Sequence, residues 1–170
     1  IEWQNNLNIN TFSQLYLLHK IWDYRDKNKI INVGLLAGGG TNNPFTNYSA
    51  YCVSKIILIK MCELLDDENN DLNIFIVGPG YVKTKIHNET LISKDSADEN
   101  YFKTVNLLKN NGTDLLDIYN SIIWCSNNGK NIMSGRNLST VHDKWKTDEE
   151  KLINDLKTDK DLFRLRRKQK

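Results

Sequence analysis

Two prolines and three cysteines are all that this chain of 170 residues holds of either type. Cys52, Cys62 and Cys125 form no C-x-x-C pair and fall within apolar helical patterns, so small buried thiols are expected and a metal site is not. Neither sign of charge is in excess. The 23 basic and 21 acidic side chains leave a formal charge of +2, too little to draw in nucleic acid or an anionic membrane through a global field. No apolar run is long enough to span a bilayer. No signal-peptide pattern opens the chain, which starts at Ile1 inside a helical pattern and so reads as truncated; a cytoplasmic location is the expectation. His19, His87 and His142 are scattered without metal-ligand spacing. With 39% hydrophobic and 26% charged residues, a soluble globular protein with one core remains.

What is present alternates. Over residues 7–22, Leu7, Ile9, Phe12, Leu15, Tyr16, Leu18 and Trp22 recur mostly at three- and four-residue steps, the pattern of an amphipathic helix. Residues 30–36 are an apolar run that fits a buried parallel strand. Gly38-Gly39-Gly40 and Pro44 make the next stretch a loop. A long helix is expected over about 46–65, a second buried strand over 72–77, and a sharp stop at Gly78-Pro79-Gly80. Residues 81–100 read as a mobile loop, 101–109 and 115–125 as helices with Gly129 in a cap, and 137–141 as a short strand. The order predicts an α/β fold with right-handed crossovers. Residues 1–141 would form the domain and 142–170 a charged extension, with a thin apolar stripe and a loose, solvated basic end at Arg164, Arg166 and Arg167.

One pair could carry chemistry. Tyr51 and Lys55 are four apart in a predicted helix and so share a face, one turn apart. A free tyrosine titrates near about 10. A neighbouring ammonium favours the phenolate, so such a pair beside a cleft can act as a general acid or base. The alternative is a tyrosine at a core edge beside a solvated lysine.

Five landmarks, in order, resemble the short-chain dehydrogenase/reductase family. Trp3 with Asn10 is similar to the start of its fourth helix, and Ile30-Ile31-Asn32-Val33 to its fifth strand. Tyr48-Ser49-Ala50-Tyr51-Cys52-Val53-Ser54-Lys55 resembles its active-site helix. Val77-Gly78-Pro79-Gly80 resembles the loop after its sixth strand, and Ser134-Gly135-Arg136-Asn137-Leu138 the lead into its seventh. The resemblance implies a partial Rossmann-like, doubly wound parallel sheet of about three strands with flanking helices. It implies NAD or NADP as cofactor and hydride transfer between the nicotinamide and an alcohol or carbonyl. Tyr51 would be the acid or base. Lys55 would bind the nicotinamide ribose and lower the pKa of Tyr51, and Asn10 would hold a water in a proton relay. Pro79, Gly80, Val82 and Thr84 would line the cofactor. A homodimer or homotetramer would form through the Asn10 and Tyr51 helices, with Leu15, Ile57 and Met61 as candidate contacts. The Gly-Gly-Gly-Thr-x-x-Pro form of the loop resembles members from bacterial sugar and polysaccharide pathways, which would make the substrate sugar-related.

Two departures stand out. Where the family has a catalytic serine after its fifth strand, this chain has Ala37, and Thr41 is a poorly placed substitute. Losing one donor at a developing oxyanion costs about 10²–10³ in rate. The G-x-G-x-x-G turn that would hold the pyrophosphate is also absent from these residues. A catalytically impaired homologue serving as a nucleotide-binding or oligomer scaffold, or a fragment without function, are therefore the alternatives.

Overall fold

Burial on both faces sets one strand at the centre. In β2 (Leu72–Gly78), Leu72, Ile74, Phe75, Ile76 and Val77 are almost completely enclosed. The computed structural model describes residues 2–38, 46–85, 87–97, 99–110 and 112–167, and the side chains of all of these except 2, 89 and 96. Strand β1 (Ile31–Leu36) and strand β3 (Asn137–Ser139) flank β2, giving a parallel three-stranded sheet in the order β1-β2-β3. Ile31 stands opposite Leu72 and Leu36 opposite Val77.

Period-two alternation sends the two halves of β2 into two cores. Leu72, Ile74 and Ile76 join Leu35, Leu58, Ile59, Cys62 and Leu18 on one face. Phe75 and Val77 join Trp124, Cys125, Met133, Leu138, Leu152 and Leu156 on the other. The first face is covered by helix α3 (Ser49–Glu68) and by a continuous helical stretch built from α1 (Glu2–Leu7), a π-helical turn (Asn8–Phe12) and α2 (Ser13–Trp22). The second is covered by α7 (Leu115–Ile132) and α8 (Glu149–Thr158). A parallel sheet with helices on both faces is the doubly wound α/β arrangement expected from the alternation. All three cysteines are free and buried, as their apolar surroundings indicated.

Four local expectations change. Residues 81–100 are not a plain loop, because α4 (His87–Ile92) and α5 (Lys94–Ala97) occupy much of them, followed by α6 (Glu99–Lys109). Gly129, with φ 63, interrupts α7 rather than ending it, and helical bonding resumes as far as Ile132. Strand β1 is not buried on both faces. Asn32, Gly34 and Leu36 are exposed, since α7 reaches only part of that side.

The C-terminal segment also differs from the expected solvated extension. Trp145, Leu152 and Leu156 are core residues, and Leu165 packs against the α3 face. Arg136, 6% exposed, organises the turn after α8. Its guanidinium donates to the main-chain oxygens of Leu156, Asp159 and Leu162 at 2.8–3.1 Å. The first two are carbonyls of the kind that a helix end leaves without partners, and the third lies in the turn beyond it. Among the described residues, no helix is long and apolar enough to cross a membrane.

Arg136→Ala leaves the buried Leu156 oxygen and the two part-buried ones without their donor and is expected to lower stability by about 1.5–3 kcal/mol in denaturant unfolding. The outer edge of β1 has no pairing strand among the described residues, while Ile9, Phe12 and Tyr16 are exposed on the first helical stretch. The 170-residue chain alone is expected to self-associate or aggregate with concentration in light scattering. A monomeric, concentration-independent unfolding transition would contradict this.

Candidate active site

The carboxyl ends of β1 and β2 lie side by side, and the ends of parallel strands are where such sheets place ligands. Helix α3 starts beside them. Its buried stripe runs Cys52, Lys55, Leu58–Ile59, Cys62 and Asp66, at steps of three and four. Lys55 is thus carried toward the sheet by the same periodicity that buries Leu58. It is 8% exposed, and its ammonium reaches the main-chain oxygen of Leu36 at 3.4 Å. Tyr51 stands one turn earlier and is half-buried, with the Lys55 nitrogen 5.6 Å from its ring centroid.

Electrostatics differ from the expected Tyr–Lys pair. Burial pushes the Tyr51 phenol above its ordinary value, with a smaller contribution from Cys52, and burial lowers the Lys55 ammonium. The expected lowering of Tyr51 by Lys55 is therefore not what this arrangement yields. The ammonium bonds to a carbonyl and sits against the ring, so loss of water around the phenol outweighs its attraction.

Ala37 follows β1 directly. Its amide donates to the Val77 oxygen at 3.2 Å, extending the β1–β2 pairing, and its methyl is buried in the core that α3 covers. The position is therefore on the same side of the sheet as α3, but it supplies no hydroxyl. Gly38 lies next to Pro79. Residues 39–45, including Thr41, lie outside the described residues.

The turn after β2 admits only glycine at residue 80. Gly80 has φ +74, and a Cβ there would come within 2.5 Å of Val141 and 2.6 Å of the Thr113 hydroxyl. The turn is tied to the opposite loop by the Thr113 amide, which donates to the Tyr81 oxygen at 2.7 Å. Val82 and Thr84 line an open cavity of about 440 Å³ with Lys83, Gly112, Thr113 and Leu115. Tyr51, Lys55 and Ala37 do not line that cavity, so the candidate residues fall into two groups at this end of the sheet.

Asn10 lies in the π-helical turn, where helices carry an extra residue and where functional sites often occur. Its side-chain amide donates to Asn6 at 3.3 Å, and its main-chain oxygen accepts from the Gln14 side chain at 2.8 Å. The next residue, Thr11, was not singled out by sequence. It is completely buried and donates to the Ser54 main-chain oxygen at 2.7 Å, pinning this turn to α3 between Tyr51 and Lys55. Two further ties hold the start of α3. The Tyr48 and Thr90 hydroxyls are 2.8 Å apart, and Asn100 donates to the Thr46 oxygen at 3.1 Å. The segment that sequence left as a loop is thereby packed against the start of the Tyr51 helix. No spacing rule flags these residues, because each acts through a contact distant in sequence.

Gly80→Ala is expected to cost about 1–3 kcal/mol in thermal or denaturant unfolding, since it adds both a disfavoured φ and a steric clash.

No curated protein matches the chain. Residues 1–95 match the short chain dehydrogenase family. That span covers more than half of the 170 residues and includes Asn10, Tyr51, Lys55, Pro79 and Gly80 on a doubly wound parallel sheet, so the chain belongs to the short chain dehydrogenase family of oxidoreductases.

Proposed function

We propose that this chain carries the substrate and nicotinamide side of an NAD- or NADP-dependent oxidoreductase that interconverts an alcohol and a carbonyl, with Tyr51 moving the proton. The state of Lys55 supports this most. It is a buried ammonium with one acceptor among the described residues, at the long distance of 3.4 Å. An ammonium has three donors, and leaving a buried one unfilled is costly. A ribose hydroxyl at the end of β1 would fill it, so the residues present fit the nicotinamide end of the cofactor. They do not fit the pyrophosphate, for which no G-x-G-x-x-G turn occurs among these residues.

When bound, the nicotinamide supplies or accepts the hydride. Lys55 would hold its ribose, and Pro79, Gly80, Val82 and Thr84 would line it. Tyr51 donates its phenolic proton to the substrate oxygen during reduction, and its phenolate takes that proton back in the reverse direction. Asn10 holds a water through which the proton is replaced. The substrate is a small alcohol or carbonyl compound, of sugar type if the glycine-rich loop is a guide. Association into a homodimer or homotetramer through the first helical stretch and α3 completes the reading. Ile9, Phe12, Tyr16 and Val53 are exposed there and support it, whereas Leu15 is packed into the core.

A second reading is favoured by Ala37. Without a hydroxyl at the end of β1, the chain would be an impaired homologue that keeps Tyr51 and Lys55 for cofactor binding and assembly.

The two readings separate by mutation and activity assay. Tyr51→Phe is expected to abolish carbonyl reduction, and activity untouched by it would sink the catalytic reading. Ala37→Ser is expected to raise reduction, up to about 10²–10³-fold. A wild type already as active as that variant would sink the scaffold reading. Because burial raises the Tyr51 pKa, the phenol stays protonated through neutral pH. Reduction should therefore persist into alkali and decline only beyond the ordinary tyrosine range, while alcohol oxidation rises as the phenol ionises. A pH–rate profile in both directions checks the sign.

A further inference from the structure

The end of α3 remote from Tyr51 holds two buried carboxylates that the proposed chemistry does not use. The Glu63 side chain is 3% exposed and that of Asp66 8%. Each faces two cations. Glu63 is bound by Lys60 at 2.7 Å and by Arg166 at 2.8 Å. Asp66 is bound by Lys130 at 2.5 Å and by Arg164 at 2.8 Å. Between the two arginines, the Leu165 amide donates to Glu63 at 2.6 Å, and the Leu165 side chain packs against the α3 core. The cradle is built for this segment. Gly135 has φ +71, and a Cβ there would lie 2.6 Å from the Asp66 carboxylate and 2.8 Å from the Arg164 guanidinium.

The two sets of cations differ in origin. Lys60 belongs to α3 and Lys130 to α7, both parts of the helical body. Arg164 and Arg166 belong to a stretch after α8 without helix or strand. That stretch bends through Phe163, a non-glycine residue at φ 65, a sparsely populated conformation. If residues 164–166 leave, Glu63 keeps Lys60 and Asp66 keeps Lys130. Departure therefore strands no bare buried carboxylate, the event that makes breaking a buried pair so unfavourable.

We propose that Arg164-Leu165-Arg166 is a strap that releases from α3 and re-docks while the sheet and helices stay folded. It is a conformational device at one end of the helix that carries Tyr51 and Lys55. Charge pairing through the part-exposed arginines holds it together with the packing of Leu165, so salt weakens it more than it weakens the sheet, which is held by apolar burial.

Amide hydrogen exchange on the full chain tests this, comparing the Leu165 amide with the Ile76 amide, which donates to Arg136 across the sheet. Leu165 is expected to exchange at least about tenfold faster than Ile76, and to accelerate severalfold as salt rises from about 0.05 M to about 1 M while Ile76 does not. In the double variant Arg164→Ala/Arg166→Ala, Leu165 should accelerate by at least about a further tenfold with Ile76 unchanged, and Arg164→Lys/Arg166→Lys should restore part of the protection. Equal exchange of the two amides, or a change in both together, would mean that the segment opens only with the whole fold and would overturn the strap. If the alanine variant does not fold, the salt series on the unaltered chain decides alone.

Discussion

Everything in this molecule hangs on the packing of α3 across β1 and β2. Leu58, Ile59 and Cys62 meet Leu35, Ile74 and Ile76 in one closed core. Complete burial of a Leu or Ile side chain is worth about 1.5–3 kcal/mol, against roughly 0–1 for an exposed ion pair. Apolar contact therefore sets where α3 sits and how it is rotated. Once that rotation is fixed, the helical period decides the rest. Lys55 lies on the buried stripe toward the amino end and Asp66 on the same stripe toward the carboxyl end, with Tyr51 and Glu63 beside them. One helix, rotated by its core, thus presents a tyrosine–lysine pair at the ligand end of the sheet and a carboxylate pair at the other.

The surroundings of the two ends differ physically. At the amino end, desolvation dominates. It holds the Tyr51 phenol protonated and weakens the Lys55 ammonium, and the polar partners there are sparse. At the carboxyl end, burial of Glu63 works against ionisation, but hydrogen bonds from Lys60, Arg166 and the Leu165 amide overcome it and hold the carboxyl below its usual range. A saturated network of this kind serves architecture rather than chemistry. The contrast explains why the match of landmarks along the sequence points to the first end and passes over the second.

Much of the fold was legible because its signals are local. The runs at 31–36 and 72–78, the glycines that stop them and the periodicity of α3 each lie within a few residues of one another. The arrangement of Tyr51 and Lys55 on one helical face follows from the same arithmetic. The π-helical turn around Asn10 was not legible, because the phase shift of about 100° that one inserted residue brings is lost where apolar residues such as Ile9 and Phe12 are themselves exposed. Thr11 became visible only through its bond to Ser54, 43 residues away. The helices between residues 87 and 97 are short and polar, and contacts such as Tyr48 with Thr90 accompany them where periodicity is weak.

The C-terminal segment marks the boundary most sharply. By itself, the sequence determined the α/β class, the order of strands and helices, the family landmarks and the replacement of the expected serine by Ala37. All of these are properties of residue type and short spacing. Tertiary structure alone decided that the acidic end of α3 and the basic end of the chain, each of which reads as solvated in isolation, are each other's partners. Arg164 and Asp66 are 98 residues apart. No local pattern encodes that pairing, because a charge reads as solvated until the fold brings its counter-charge to it and removes the water from both.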